Sequence, residues 1–347
     1  MPANSIDTFF ACILIIMVVI MSMVFTTNLV SPHLNALEGV NEEEYLRKIV
    51  DHAIVNCGSP ANWGENPSII PESFGLGKDG SFSYELDLDK VSRLNTQNVY
   101  SLSYLEMLRS LRLQNVALNF VFSQILDVSI VLDSSVTVGA STTYAFNISV
   151  SQNQAPNAAN LKCYLIANNF LDETTSSISI NDQGTVEFEV PNDSNGPAML
   201  VVFARSTDDN RLTSQGVYCF GHLSPEPAVN NSFLGLSPLN QTLYVHLNVS
   251  EVSLESVYSF SYGYKTELSA FSNETYSVPR FLGSSPQMLV VTGWNGSDFF
   301  IEYTTYPQVP LEIGSRFEGA ECFSFSYVVT INHVLYKLTV KSGGPSF

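Results

Sequence analysis

The first regular pattern along the chain is an apolar run interrupted only by Ser22, FFACILIIMVVIMSMVF over residues 9–25, with apolar character resuming at Leu29 and Val30. Such a run is near the lower length limit for crossing a hydrocarbon layer, and it predicts a membrane helix over residues 9–30. A cleaved secretory signal would need a basic start and a small-residue cleavage site, yet no Lys or Arg precedes Arg47. The pattern then turns amphipathic. Asn41 with Glu44 three residues on reads as a helix cap, and Tyr45, Leu46, Ile49, Val50, Ala53 and Ile54 gather on one face. Glu43 with Arg47 and Glu44 with Lys48 supply i,i+4 pairs on the other side. Gly58 is the stop signal and Pro60 lies just beyond it.

Residues 58–80 are too rich in Gly and Pro for regular structure but contain Trp63, Ile69, Ile70 and Phe74, which favour burial. The segment reads as an ordered loop, with Trp63 expected against Tyr45, Ile49 or Ala53. Asp89 is placed to cap a short helix through Lys90, Val91 and Leu94. Residues 103–113 read as another helix with Leu105, Leu108 and Leu111 on its face. The period then changes from helical to alternating. Residues 116–132 suit one bent strand or two short ones, Tyr144–Val150 and Val186–Val190 alternate strictly, and turn signals fall at 181–184 and 192–196. After the linker Ser224-Pro-Glu-Pro, strand patterns recur at 243–249, 257–264, 288–294, 299–306 and, as a final pair, over 323–340. The expected fold is mostly β with an N-terminal α-helical part: a membrane helix, a small α/β module and two immunoglobulin-like or fibronectin-like β-sandwiches. The expected domains are 1–31 (cytoplasmic tip and membrane helix), 32–133 (helix, ordered loop and small α+β module), 134–223 (first sandwich) and 224–347 (second sandwich).

Charge narrows the partners. Lys+Arg number 15 against Asp+Glu 33, a net charge of -18, which removes the footprint of a nucleic-acid binder. Gly75, Gly77 and Gly80 match G-x-G-x-x-G, but no strand precedes them and no helix follows. Serine-hydrolase, phosphate-loop and zinc-protease motifs are absent, so neither an enzyme nor a cofactor is expected. Glu85, Asp87 and Asp89 alternate, which on a strand would set three carboxylates on one face as weak candidates for a hard cation; solvated acids with a helix cap are the alternative. Cys12 lies in the apolar run. Cys57, Cys163, Cys219 and Cys322 allow three pairings, of which Cys163 with Cys219 is favoured because both fall in strands of one module; a reduced pair is the alternative. Asn-x-Ser/Thr sequons at Asn147, Asn192, Asn230, Asn240, Asn248, Asn273 and Asn295 suit an exported, disulfide-bearing glycoprotein.

Gly58-Ser-Pro60-Ala-Asn-Trp63-Gly, followed by Phe74-Gly-Leu76 and Leu88-Asp89-Lys90-Val91, resembles a family of archaeal type IV pilin-like surface proteins over about residues 4–130. The resemblance implies one membrane helix ahead of a β-rich ectodomain outside the cell. It also implies a pilin-like character for residues 32–133, and a place for Asp7 as the acidic residue that pairs with a neighbour's N-terminal amine in a filament. A solvated carboxylate at the headgroup level is the alternative for Asp7. The expected function is a non-enzymatic, single-pass surface protein, contacting the membrane through residues 9–30 and copies of itself or other surface proteins. The alternative is an extracellular module binding a glycan, peptide or surface protein through aromatics such as Trp294, Tyr262 and Tyr264.

Overall fold

The computed structural model describes residues 13–24, 42–113, 115–180, 183–272, 274–281, 283–317 and 322–343. The chain divides into two compact units, Met1–Asp51 and His52–Phe347. A helix covers 13–24, with large apolar side chains exposed from Ile13 to Val24. Among the described residues no helix is long and apolar enough to cross a membrane; the rest of 9–30, Cys12 included, lies outside them, as does Asp7. A helix over 42–55 carries the expected Arg47–Glu43 (2.9 Å) and Lys48–Glu44 (2.8 Å) pairs, and buries Leu46 and Val50.

In the second unit β1 (Glu85–Leu86) precedes the helices Leu88–Ser92 and Tyr104–Leu111. Asp87, rather than Asp89, caps the first of these, accepting from the N–H groups of Asp89 and Lys90. Ser103 and Glu106 form a reciprocal capping box on the second, which buries Met107 while Leu105 stays exposed. β2 (Ala117–Gln124) and β3 (Leu126–Val138) follow, so the ambiguous apolar stretch is two strands, each in a different sheet.

The first sandwich is built from β3, β4 (Ser141–Gln152), β5 (Ala155–Pro156), β6 (Ala159–Ala167), β7 (Phe170–Ile178), β8 (Gly184–Pro191), β9 (Gly196–Ser206) and β10 (Thr213–His222). β3, β4 and β8 make one sheet, with β5 at the end of β4; the facing sheet runs β10-β9-β6-β7. Phe146, Ile148, Phe188 and Val190 meet Leu161, Leu165, Leu200 and Val202 between them. The sandwich therefore begins at Leu126, not 134.

The second sandwich comprises β11 (Leu234–Leu239), β12 (Thr242–Leu247), β13 (Val252–Phe260), β14 (Lys265–Glu267), β15 (Ala270–Ser272), β16 (Thr275–Ser277), β17 (Gln287–Asn295) and β18 (Asp298–Tyr306). Its sheets run β11-β12-β16-β15 and β14-β13-β17-β18, around a core including Leu236, Leu243, Val257, Leu289 and Val291. The even-numbered residues Tyr164 and Ile166 of β6 and the odd-numbered Met199, Val201 and Phe203 of β9 face away from the first core. They pack with Phe260, Met288 and Val290 in a third core that the two sandwiches share. Tyr164 lies 4.9 Å from Phe260 centroid to centroid, and its hydroxyl donates to Ser261 O (3.1 Å). Glu173 pairs with Lys162 and with Lys265, each at 3.3 Å, so residues of both sandwiches share this carboxylate.

The final strands correct the expected domain organisation. β19 (Leu311–Gly314), β20 (Phe323–Ile331) and β21 (Val334–Gly343) do not belong to the second sandwich; they join β1 and β2 in a sheet ordered β1-β20-β21-β2-β19. β2 is flanked by β19 and β21, both far downstream, and buries Phe120 and Phe122. The module following the helix 42–55 is thus completed by the end of the chain, and the second sandwich stops near Tyr306.

The expected Cys163–Cys219 bridge is also corrected: both thiols are free. Cys163 pairs across β6 and β9 with Val202, and Val202 pairs across β10 with Gly216. Cys219 is three residues further on, hence on the opposite sheet face, with β9 between. Two strand spacings are about 9.5 Å, beyond the reach of a disulfide. Cys57 and Cys322 are free as well.

Candidate functional site

The Gly/Pro loop shows how this fold holds irregular backbone. Gly58 sits at φ 75°, and a Cβ there would lie 2.5 Å from Ser73 O, so the turn admits only glycine. The Ser59–Pro60 bond that follows is cis. Trp63 is fully buried, donates from Nε1 to Gly75 O (3.1 Å) and packs on Phe74, itself packed on Phe120 of β2. Phe74 and Gly75 lie later in the chain, while the Trp63 backbone N–H donates back to Pro60 O (3.1 Å); Tyr45, one of the expected partners, is 57% exposed. The loop carbonyls are gathered by two buried cations. Lys90 Nζ donates to Cys57 O and Gly77 O, each at 2.9 Å. The Arg93 guanidinium donates to the carbonyls of Trp63, Asn66, Pro67, Ile69 and Tyr100.

The three alternating carboxylates do not share a face, because the strand ends at Leu86 and the chain turns into helix. Glu85 pairs with Lys78 (2.6 Å), and Asp87 is occupied as the cap. Asp89 is buried and takes Tyr306 Oη–H (2.5 Å) and Asn240 N–H (2.8 Å) on one oxygen. Burial pushes its carboxyl up to about 6, against the lowering effect of those two bonds. Among the described residues no group of three or more His, Cys, Asp or Glu is arranged to hold a metal. Asn98, Gln308 and Ser237 continue this polar contact: Asn98 Nδ2 donates to Gln308 Oε1 (2.7 Å), and Val99 N to Ser237 Oγ (3.0 Å).

Of the aromatics proposed for binding, Tyr262 lies under Arg205 (3.8 Å to the ring centroid) and Tyr264 stacks on Phe281 (4.9 Å). Trp294 instead lines a groove of about 460 Å³, formed where the interdomain linker passes the ends of both sandwiches. The linker is bent close to Gly221, where a Cβ would lie 2.3 Å from the carbonyl oxygens of Ser224 and Pro225. Asn230 then clamps it, donating from Nδ2 to Tyr303 O and accepting from Tyr303 N, both at 2.9 Å. Trp294 meets Phe299 edge-on (5.3 Å), and Phe233 meets Phe300 (5.1 Å). The indole Nε1–H donates to Glu255 Oε2 (3.1 Å), which ties down the ring edge.

The groove is charged with one sign. Glu226, Asp298 and Glu302 line it, and no Lys, Arg or His does. Glu302 is 2% exposed; its two oxygens accept from Phe233 N (2.7 Å) and Leu234 N (2.9 Å). Burial holds its carboxyl above the usual range, and the backbone donors Phe233, Leu234 and Ser232 offset part of that rise. Trp294 is identifiable from sequence as a large aromatic near a turn. Glu302 and Phe233 are not, since a carboxylate satisfied by backbone donors leaves no side-chain partner to search for.

The sequons differ in what their amides do. Asn147 Nδ2 donates to Asp133 Oδ1 and Asn192 Nδ2 to Gly139 O, while the Asn230 amide both donates and accepts in its clamp on Tyr303. Asn240 and Asn248 are exposed, Asn295 is half-buried beside Trp294, and Asn273 lies outside the described residues.

No protein-family model matches the chain, and no curated protein matches it. Among solved structures, the chain is similar to the crystal structure of chicken CNTN1 FN1-FN3 domains at 10% identity. That match covers 53% of this chain and 66% of the other, with a TM-score of 0.17. A likeness to human GIVD cytosolic phospholipase A2, also at 10% identity, covers 67% of this chain and 33% of that one, with a TM-score of 0.16. Neither likeness is close enough to carry an argument about fold or function.

Proposed function

We propose that the chain is a non-enzymatic, membrane-anchored surface protein of pilin-like design that displays two fibronectin-like sandwiches outside the cell as one rigid block. The observation that carries this reading is the shared core of Tyr164, Met199, Val201, Phe203, Phe260, Met288 and Val290, which joins the inner sheets of the two sandwiches. Modules meant to move independently meet through smaller, more polar contacts. In both sandwiches the first, second and fifth main strands share a sheet and the fourth joins the third, sixth and seventh, which favours the fibronectin-like over the immunoglobulin-like arrangement. Residues 9–30 are the anchor in this reading, supported by the exposed apolar side chains of the helix 13–24. N-terminal sequencing of the native protein, with negative-stain microscopy of cell surfaces, tests it. The expected result is a retained apolar segment and a surface-bound or filamentous protein; a freely secreted chain lacking residues 9–30 overturns it.

A second reading, recognition of a ligand outside the cell, is favoured by the aromatic and acidic groove around Trp294. In that reading Trp294→Ala abolishes ligand capture and leaves the circular dichroism spectrum of the fold unchanged.

A further inference from the structure

We propose that the cavity between the helix Leu88–Ser92 and the second sandwich binds a small zwitterion of the free amino acid class, its ammonium group on Asp89 and its carboxylate on Arg280. The site is separate from the groove around Trp294. Its volume is about 300 Å³, at the small end of small-molecule sites, which suits a ligand of a few carbon atoms rather than a polymer. Three parts of the fold enclose it. Asp87 and Asp89 come from the start of the helix, Arg280 and Gln241 from the second sandwich, and His333 from the β20–β21 turn, which the pairing of Leu86 with Ile331 brings alongside Asp87.

Asp89 is the decisive group. It is 8% exposed, and both of its donors, Tyr306 Oη–H and Asn240 N–H, fall on Oδ1. Oδ2 accepts from no described residue and is not sealed from solvent, so it opens onto the cavity that Asp89 lines. The acids that act on it, Asp87 and Glu65, have its own sign, and the Arg93 guanidinium is engaged by the loop carbonyls. A buried carboxylate in this state is stabilised by an arriving ammonium group.

The opposite charge stands at the mouth. Arg280 and His333 are exposed there, beside Glu65, and Arg280 has no ion pair among the described residues, whereas Lys78 is paired with Glu85. Gln287 Nε2 donates to Pro279 O (2.8 Å), which fixes the backbone leading into Arg280. A lone cation would answer Asp89 only, and a lone anion Arg280 only; a ligand with both charges answers both. Leu86, Leu88 and Phe281 add an apolar wall for a short aliphatic side chain. A hard metal ion prefers several free carboxylate oxygens, but Asp87 is occupied as the helix cap and no metal-type cluster occurs among the described residues.

The test is isothermal titration of the full-length chain, held in a polyoxyethylene detergent, with L-leucine, its methyl ester (ammonium only), N-acetyl-L-leucine (carboxylate only) and calcium chloride. Leucine is expected to bind saturably, at least about tenfold more tightly than either single-charge analogue. Asp89→Asn is expected to weaken leucine binding at least about tenfold with the circular dichroism spectrum unchanged. Arg280→Gln is expected to weaken leucine and leave the methyl ester as it was, which fixes the orientation of the ligand. Burial raises the Asp89 carboxyl to about 6, so leucine binding is expected to tighten as pH rises from 5 to 7.5. The profile is measured on a His333→Gln background, which removes the imidazole at the mouth, and Asp89→Asn is expected to flatten it. Equal binding of leucine and either analogue overturns the inference, as does leucine binding unaffected by Asp89→Asn. Binding of calcium alone, or of none of the four, overturns it too, and neither result bears on the anchored surface protein or on the groove around Trp294.

Discussion

The strands β8 and β9 are neighbours in sequence and members of one sandwich, yet they bury side chains in different ways. β8 alternates between buried and exposed from Gly184 to Val190, whereas β9 buries every residue from Ala198 to Ala204. Antiparallel strands with one face in water alternate, and only strands covered on both faces carry continuous apolar runs. β17 repeats the β9 pattern from Gln287 to Gly293 in the second sandwich. The contrast therefore locates the joint between the sandwiches: it lies where the apolar runs are unbroken, and the alternating strands mark a face turned to solvent.

The contrast breaks most directly at the shared core. Phe203→Ala and Phe260→Ala are each expected to cost about 3–5 kcal/mol, as for aromatic side chains removed from an ordinary core. Glu187→Ala, on the open face of β8, is expected to stay within about 0.5 kcal/mol of the parent chain. Chemical denaturation of the three variants checks this; a Phe203→Ala chain as stable as Glu187→Ala would mean that the sheets are not joined in solution.

A different joint ties the second sandwich to the helix Leu88–Ser92, and it is polar where the first is apolar. Asp89 sits in it with its carboxyl raised from 3.8 to about 6, chiefly by burial. The folded chain therefore holds this proton more tightly than the unfolded chain. Its contribution to stability is greatest below about pH 4 and is lost as pH rises through about 6. Asp89→Asn keeps an oxygen to accept from Tyr306 Oη–H and Asn240 N–H but removes the charge. It is expected to stabilise the fold at pH 7.5 by up to about 3 kcal/mol and to flatten the pH dependence between 4 and 6. Denaturant midpoints measured across that range decide the matter, and parallel profiles for parent and variant would refute it.

Strand positions are written plainly in the residue pattern, and strand partners are not. Alternation at 144–150 and 186–190 places β4 and β8, and the continuous run 200–204 falls within β9. The sheet that a strand joins leaves no such mark. β2 pairs Ala117 with Gly343, and an apolar alternating strand reads the same whichever partner it finds. Trp63 is legible because a large aromatic among small residues favours burial. Arg93 is not, because its partners are backbone carbonyls that carry no residue type. Arg93→Met is accordingly expected to cost about 2–3 kcal/mol by leaving those carbonyls without donors, with a lowered denaturation midpoint as the readout. Of the groove, Trp294 is visible in the sequence and its carboxylate Glu302 is not, for the same reason as Arg93.

The smallest effect concerns the cysteines, and it sharpens the comparison of the sandwiches. The second sandwich repeats the main strand order of the first with no cysteine between residues 234 and 306, so the architecture does not depend on a bridge. In the first, Cys163 is fully buried in the core, one strand removed from Cys219 and on the other sheet face. A reductant is therefore expected to leave the melting temperature unchanged, whereas loss of a structural bridge would remove about 2–4 kcal/mol. Burial also pushes the Cys163 thiol up to about 12, which leaves almost no thiolate at pH 8. Iodoacetamide is expected to spare Cys163 in the native chain and to modify it after denaturation. Cys163→Ala is expected to cost only about 1 kcal/mol, the scale of a small volume lost from a packed core. A reductant-dependent fall in melting temperature, matched by a Cys163–Cys219 peptide on non-reducing mapping, would show that the first sandwich relies on a bond that the second does without.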